Sequence, residues 1–346
     1  MKTNKLFQFL TMAMCAVAFA FVTGCEGPVG PPGADGADGA DGIDGTDGQD
    51  GVDGNVTCLE CHNQDNMDLN VAQFARSSHY GGEVDDGRES WSSSCVRCHT
   101  DQGFVEYADG FDIGGLTGGS NSFVCATCHS IHQSFTDVDY ALRKDDAVSF
   151  IFDATVTFDA GNSNLCVNCH QSRRAEPNTA SPGTTFEITS THYGPHHGAQ
   201  GNVLAGVGFA EIAGTEAYPT AGSATHYTSE AGRCTGCHMA EGADDGDGGH
   251  TFMPPIEACT GCHAGATDFD IGGAQTANQA LLDEIEAKLL AAGVIDAEGH
   301  PIVGTYPMEQ AQAFFNWVGL DEDRSKGVHN PAYVEALLKN TLESLD

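Results

Sequence analysis

Residues 125–132 read Cys125-Ala-Thr-Cys128-His129-Ser-Ile-His132. Two thiols separated by two residues, with an imidazole directly after them, form the unit that covalent haem attachment requires. The thiols reach the two vinyl groups of one porphyrin and form thioethers, and the adjacent His binds the iron from the proximal side. The same pentad recurs at Cys58-Leu-Glu-Cys61-His62, Cys95-Val-Arg-Cys98-His99, Cys166-Val-Asn-Cys169-His170, Cys234-Thr-Gly-Cys237-His238 and Cys259-Thr-Gly-Cys262-His263. With His at 15 of 346 residues, six chance placements after the second Cys would occur on the order of 10⁻⁸. Paired Cys-x-x-Cys units also build zinc ribbons, but zinc does not require His after every pair. Six thioredoxin-type redox sites in one small domain are an equally poor account. The sequence therefore predicts six haem c groups, with His62, His99, His129, His170, His238 and His263 as proximal ligands.

Nine His lie outside the motifs: His79, His132, His192, His196, His197, His226, His250, His300 and His329. Six bis-imidazole irons need six of them. His132, three residues after His129, cannot easily wrap to the far face of its own haem, so it is expected on a neighbouring iron. His79, His226, His250 and His329 stand apart in sequence and are distal candidates. The cluster Thr191-His192-Tyr-Gly-Pro-His196-His197 should supply at least one more, His196 first and His192 next. His300 precedes Pro301 in a loop and is the weakest candidate.

Composition agrees with a haem-filled interior. Aromatic residues are only 8% of the chain, thin for a large conventional core, so porphyrin is expected to supply core volume. The 14 Cys are spaced too uniformly for the scattered pattern of a disulfide framework. A balance of 49 acidic against 14 basic residues, net −35, excludes nucleic-acid binding, because a phosphate backbone would be repelled. Such a surface is soluble and attracts cations or basic partners.

The N-terminus predicts export. Lys2 and Lys5 precede an apolar stretch from Leu6 to Val22, as in a secretory signal. Val22-Thr23-Gly24-Cys25 resembles a bacterial lipobox. Residues 1–24 would then be a signal peptide, and Cys25 would carry lipid anchoring the protein at the outer membrane. From Gly27 to Gly54 every third residue is Gly. Gly at each third position suits a collagen triple helix, but Asp fills most third positions here. Residues 25–54 are therefore read as lipid anchor and extended hydrated spacer. Residues 55–346 form the hexahaem domain.

Its final part, 275–346, reads as helical. Leu281, Leu282, Ile285, Leu289 and Leu290 mark one side of a helix over 275–292, with Gly293 as its stop. Pro307 is expected to open a second helix carrying Phe314, Phe315, Trp317 and Val318. Asn330-Pro331 reads as an N-cap and N1 proline before a third apolar stripe of Val334, Leu337, Leu338 and Leu342. The predicted fold class is mainly α with extensive coil: a haem-packed multihaem domain with a C-terminal helical segment.

With these motifs in hand, residues 55–346 resemble the multihaem c-type cytochromes of bacterial respiration and extracellular electron transfer. The patches His192 to Gly206, Gly249-His250-Thr-Phe and Gly327-Val-His329-Asn-Pro331, with the final helices, resemble the group that includes ammonia-forming nitrite reductase and hydroxylamine oxidoreductase. The resemblance implies closely stacked, mostly bis-His haems. The nitrite reductases' active-site haem usually uses Cys-x-x-Cys-Lys, which does not occur here. The sequence thus favours an electron carrier serving other redox proteins, periplasmic or outer-membrane cytochromes, with extracellular metal oxides as further acceptors. A reductase of a small nitrogen or sulfur oxyanion at one open haem, and a cytochrome-filament subunit, remain as alternatives. The oligomeric state is not readable.

Overall fold

In a computed structural model, the described residues are 59, 62–81, 90–117, 121–133, 141–242 and 246–346. The signal peptide, Cys25, the Gly-x-Asp spacer, and Cys58 and Cys61 lie outside them. Helix α1 is Gln64–Phe74, followed by β1 Ser90–Trp91, α2 Ser93–His99, α3 Asp101–Ala108, β2 Leu116–Thr117 and α4 Cys125–Cys128. The middle of the chain holds β3 Val148–Ser149, β4 Thr157–Phe158, α5 Asn164–Val167, α6 Pro177–Ala180, β5 Thr185–Ile188 and α7 Gln200–Ala205. Short helices α8 Thr225–Thr228, α9 Cys234–His238 and α10 Glu257–Thr260 lead to the long ones: α11 Ala274–Ala291, α12 Met308–Asp323 after β6 Gly304–Pro307, and α13 Pro331–Ser344. The strands only form antiparallel pairs, β1 with β2, β3 with β4, and β5 with β6. The fold is mainly helical with extensive coil.

Five of the short helices, α2, α4, α5, α9 and α10, carry cysteines of the Cys-x-x-Cys-His motifs. The His N–H closes on the first Cys carbonyl in three of them, His129 on Cys125 at 3.0 Å, His170 on Cys166 at 2.9 Å and His263 on Cys259 at 2.8 Å. A turn of α-helix puts residues i and i+3 on one face, so both thiols of a motif lie side by side with the imidazole next to them. After α2, Thr100 caps α3 by accepting from Gly103 N at 3.0 Å. A Cβ on Gly103 would lie 2.4 Å from Val96 O, so only Gly lets α3 pack this tightly on the second motif.

The main hydrophobic core belongs to the C-terminal helices. Leu282, Ile285 and Leu289 of α11 meet Phe314 and Phe315 of α12 and Tyr333, Val334, Leu337 and Leu338 of α13. Ile188 of β5 joins them, held by the register Ile188↔Gly304 to Thr185↔Pro307. Leu290, expected on the apolar side, is 48% exposed. The core face of α11 already carries 282, 285 and 289, and Leu290 sits about 100° further round. Pro307 ends β6 and occupies the cap position of α12. Asn330 accepts from Tyr333 N at 3.3 Å, capping α13 ahead of Pro331. Buried Asn316 ties the bundle to the preceding loop: it donates to Ala210 O at 2.8 Å and accepts from Ala210 N at 2.9 Å.

A second cluster, Val148, Phe150, Phe158, Ala160, Val167, Leu204 and Ala205, packs the β3–β4 pair over α5 and α7. It fixes the fourth motif through Val167. Among the described residues no helix is long and apolar enough to cross a membrane.

Candidate haem-binding site

The motifs are knitted to one another by the residues between their cysteines. Arg97 of the second motif donates to Asn168 O of the fourth from Nε at 3.1 Å and from Nη2 at 2.5 Å. Cys98 Sγ donates to Asn168 O at 3.8 Å, and Cys169 Sγ returns to Arg97 O at 3.7 Å. Ser163, three residues before the fourth motif, and Thr235 of the fifth join through their hydroxyls at 3.1 Å. Arg143 holds the third motif by donating to Ala126 O at 3.1 Å from Nε, while its Nη1 pairs with Asp109 at 2.8 Å. None of the ten described motif cysteines is in a disulfide. No group of three or more His, Cys, Asp or Glu that could hold a metal ion occurs among the described residues.

The imidazoles instead come in twos. His62 and His132 have ring centres 5.9 Å apart, His99 and His196 6.0 Å, His79 and His170 6.1 Å. His238 and His329 are 6.2 Å apart, and His129 with His250 and His226 with His263 are each 6.3 Å apart. Each of these six pairs joins one motif His to one His from elsewhere; His196 also lies 5.2 Å from its chain neighbour His197. Two iron–imidazole bonds of about 2 Å, with about 1.1 Å from each nitrogen to its ring centre, put ring centres roughly 6.2 Å apart across one iron. Direct ring stacking gives no reason for six such pairs, because their planes meet at anything from 5° to 89°.

Hydrogen bonds fix which nitrogen is available. His238 Nδ1 lies 2.8 Å from Phe252 O, His226 Nδ1 2.7 Å from Val328 O, and His170 Nδ1 3.0 Å from Gln200 Oε1. His329 Nδ1 lies 2.7 Å from Asp323 Oδ1. In each case Nδ1–H donates to the oxygen, which leaves Nε2 with the lone pair, the arrangement usual behind a metal-bound imidazole. Burial, with a contribution from nearby His170, pushes His79 down to about 4. Burial also pushes His196 down to about 4, with Arg173 adding to the effect. A neutral imidazole is the form that binds metal.

Backbone strain concentrates at the same places. The described non-glycine residues with positive φ are His132 (56°), His196 (78°), Phe252 (56°), Arg324 (60°) and Lys326 (49°). Two are distal candidates, Phe252 supplies the carbonyl behind His238, and Arg324 and Lys326 lie in the loop that carries His329. Left-handed conformation costs an ordinary residue about 1–2 kcal/mol, and such strain collects where side-chain placement matters.

Of the 192–197 cluster, the pairing takes His196. His192 is exposed, and His197 pairs its Nδ1 with Glu322 at 2.7 Å. His300 Nδ1 lies 3.7 Å from Asp296. His132 faces His62 while His129 faces His250, so the segment between them serves two sites. The acceptors Asp323, Gln200, Phe252 O and Val328 O were not foreseen. They are distant or backbone partners with no local pattern to mark them.

No protein-family model matches the chain. The C-type polyheme cytochrome OmcB of Geobacter sulfurreducens, in strains DL-1/KN400 and PCA, is 24% identical over 66% of this chain and 38% of its own length. The chain thus spans well under half the length of these relatives. A crystal structure of the outer cell wall cytochrome OcwA superposes with a TM-score of 0.49 and 18% identity, over 80% of this chain and 50% of that one. The similarity to OmcB, a C-type polyheme cytochrome, agrees with the multihaem reading of the Cys-x-x-Cys-His pentads.

Proposed function

We propose that this chain carries electrons through six covalently bound c-type haems, each iron held between two imidazoles. The single observation behind the proposal is the set of six ring pairs, 5.9–6.3 Å apart, that match every motif His with one other His. When bound, haem supplies a ferric–ferrous couple that can cycle with both axial ligands kept.

The protein's part is placement. The motif helices hold the thiols on one face, the carbonyl and side-chain acceptors orient the rings, and the C-terminal bundle anchors the loop that bears His329. If these imidazole pairs hold the haem irons, a small oxyanion would find no iron position to enter, which favours a carrier over a reductase. Tethered through a lipid on Cys25 and held off the membrane by the Gly-x-Asp spacer, the domain would exchange electrons with periplasmic or outer-membrane cytochromes. Extracellular metal oxides are the further acceptors. The acidic surface favours partners with basic faces.

Film voltammetry of the purified holo-protein tests this. Six reversible one-electron couples and no catalytic current with nitrite, hydroxylamine or sulfite are expected. A catalytic wave with any of the three would make the protein an enzyme.

A further inference from the structure

The loop between α12 and α13 serves two of the ring pairs. Its Val328 O accepts from His226 Nδ1 at 2.7 Å, and its His329 is tied to Asp323 Oδ1 at 2.7 Å. Asp323 is a poor residue for its position on stability grounds. It ends α12, where unpaired carbonyls already present partial negative charge and an anionic side chain is disfavoured. Its side chain is also only 1% exposed, so the carboxylate has given up hydration.

Both of its oxygens are committed. Oδ1 takes His329 Nδ1, and Oδ2 accepts from the Ser325 hydroxyl. Ser325 Oγ in turn accepts from Gly327 N at 3.2 Å and His329 N at 3.4 Å. The charged side chains of Arg324 and Lys326 are exposed.

Orientation alone does not call for a carboxylate. Neutral acceptors do that work for His238 (Phe252 O), His226 (Val328 O) and His170 (Gln200 Oε1). A carboxylate adds a negative charge hydrogen-bonded to the ligand. That makes the imidazole a stronger donor and favours the more positive, oxidised iron.

We propose that Asp323 is a positioning residue that lowers the reduction potential of the fifth site, His238 with His329. The proposal rests on bis-imidazole ligation at that site, as argued above. The test is a spectroscopic redox titration of holo-protein carrying Asp323→Asn, which keeps an oxygen acceptor and removes the charge. One of the six couples should rise by at least a tenfold change in its ferric-to-ferrous ratio at fixed poise, 59 mV for one electron. All six haems should stay attached and low-spin, and Asp323→Glu should restore most of the shift. Unchanged potentials with all haems low-spin would overturn the proposal. So would a new high-spin haem in Asp323→Asn, because the carboxylate would then serve only to keep the ring in place. His329→Ala separates the two levels. It should turn one haem high-spin, and if it does not, the ligation itself is wrong whatever Asp323→Asn does.

Discussion

Replacing His132 by Gly removes one imidazole with little else. His132 is exposed, so almost no packing is lost, and its φ of 56° suits Gly better than any other residue. The backbone should gain about 1–2 kcal/mol from relief of the left-handed conformation, leaving the fold intact. His132 pairs with His62 at 5.9 Å, so one iron in six, about 17% of the haem, should lose a ligand. Resonance Raman of the ferric protein should show that fraction as high-spin, and added imidazole should return it to low-spin. The affected iron can be identified by combination. In a Cys58→Ser/Cys61→Ser background the first haem is gone, and adding His132→Gly should then create no high-spin signal. Two results would refute the pairing: a wholly low-spin His132→Gly protein, or a high-spin signal that persists without the first haem.

Phe315 is fully buried in the C-terminal core, and Phe315→Ala should destabilise the holo-protein by about 3–5 kcal/mol in denaturant unfolding, with haem content unchanged. A loss below ~1 kcal/mol would mean the bundle does not depend on this contact. Intact mass of the mature protein should show six haems, whereas four or fewer would break the motif reading. Labelled fatty acid should be incorporated, and Cys25→Ser should abolish the label; persistent labelling would move the anchor elsewhere.

The parts of this molecule that were legible in the sequence are those encoded locally. Each pentad carries its own chemistry within five residues, so the motifs needed no tertiary information. The three C-terminal helices announced themselves by apolar spacing and by Asn330-Pro331, and their bounds lie close to those expected. Leu290 misled because adjacent apolar residues cannot both face the core of a helix that already uses 282, 285 and 289. The pool of distal candidates followed from counting, since six bis-imidazole irons would demand six more imidazoles than the pentads supply. Which ring meets which could not be read. His79 meets His170 across 91 positions, and His99 meets His196 across 97. Such pairings are set by the whole fold. Asp323 was invisible for a related reason: an acidic residue near a helix end reads as one more solvated charge in a chain with 49 acids. Only its burial and its contact with His329 distinguish it.

In the proposed function every iron sits between two protein imidazoles. The spin state of the wild-type ferric holo-protein, read by paramagnetic resonance and resonance Raman, tests it most directly. The six ring pairs predict a wholly low-spin protein whose spectra do not change when cyanide, nitrite or hydroxylamine is added. One stoichiometric high-spin haem that binds any of these ligands would contradict it.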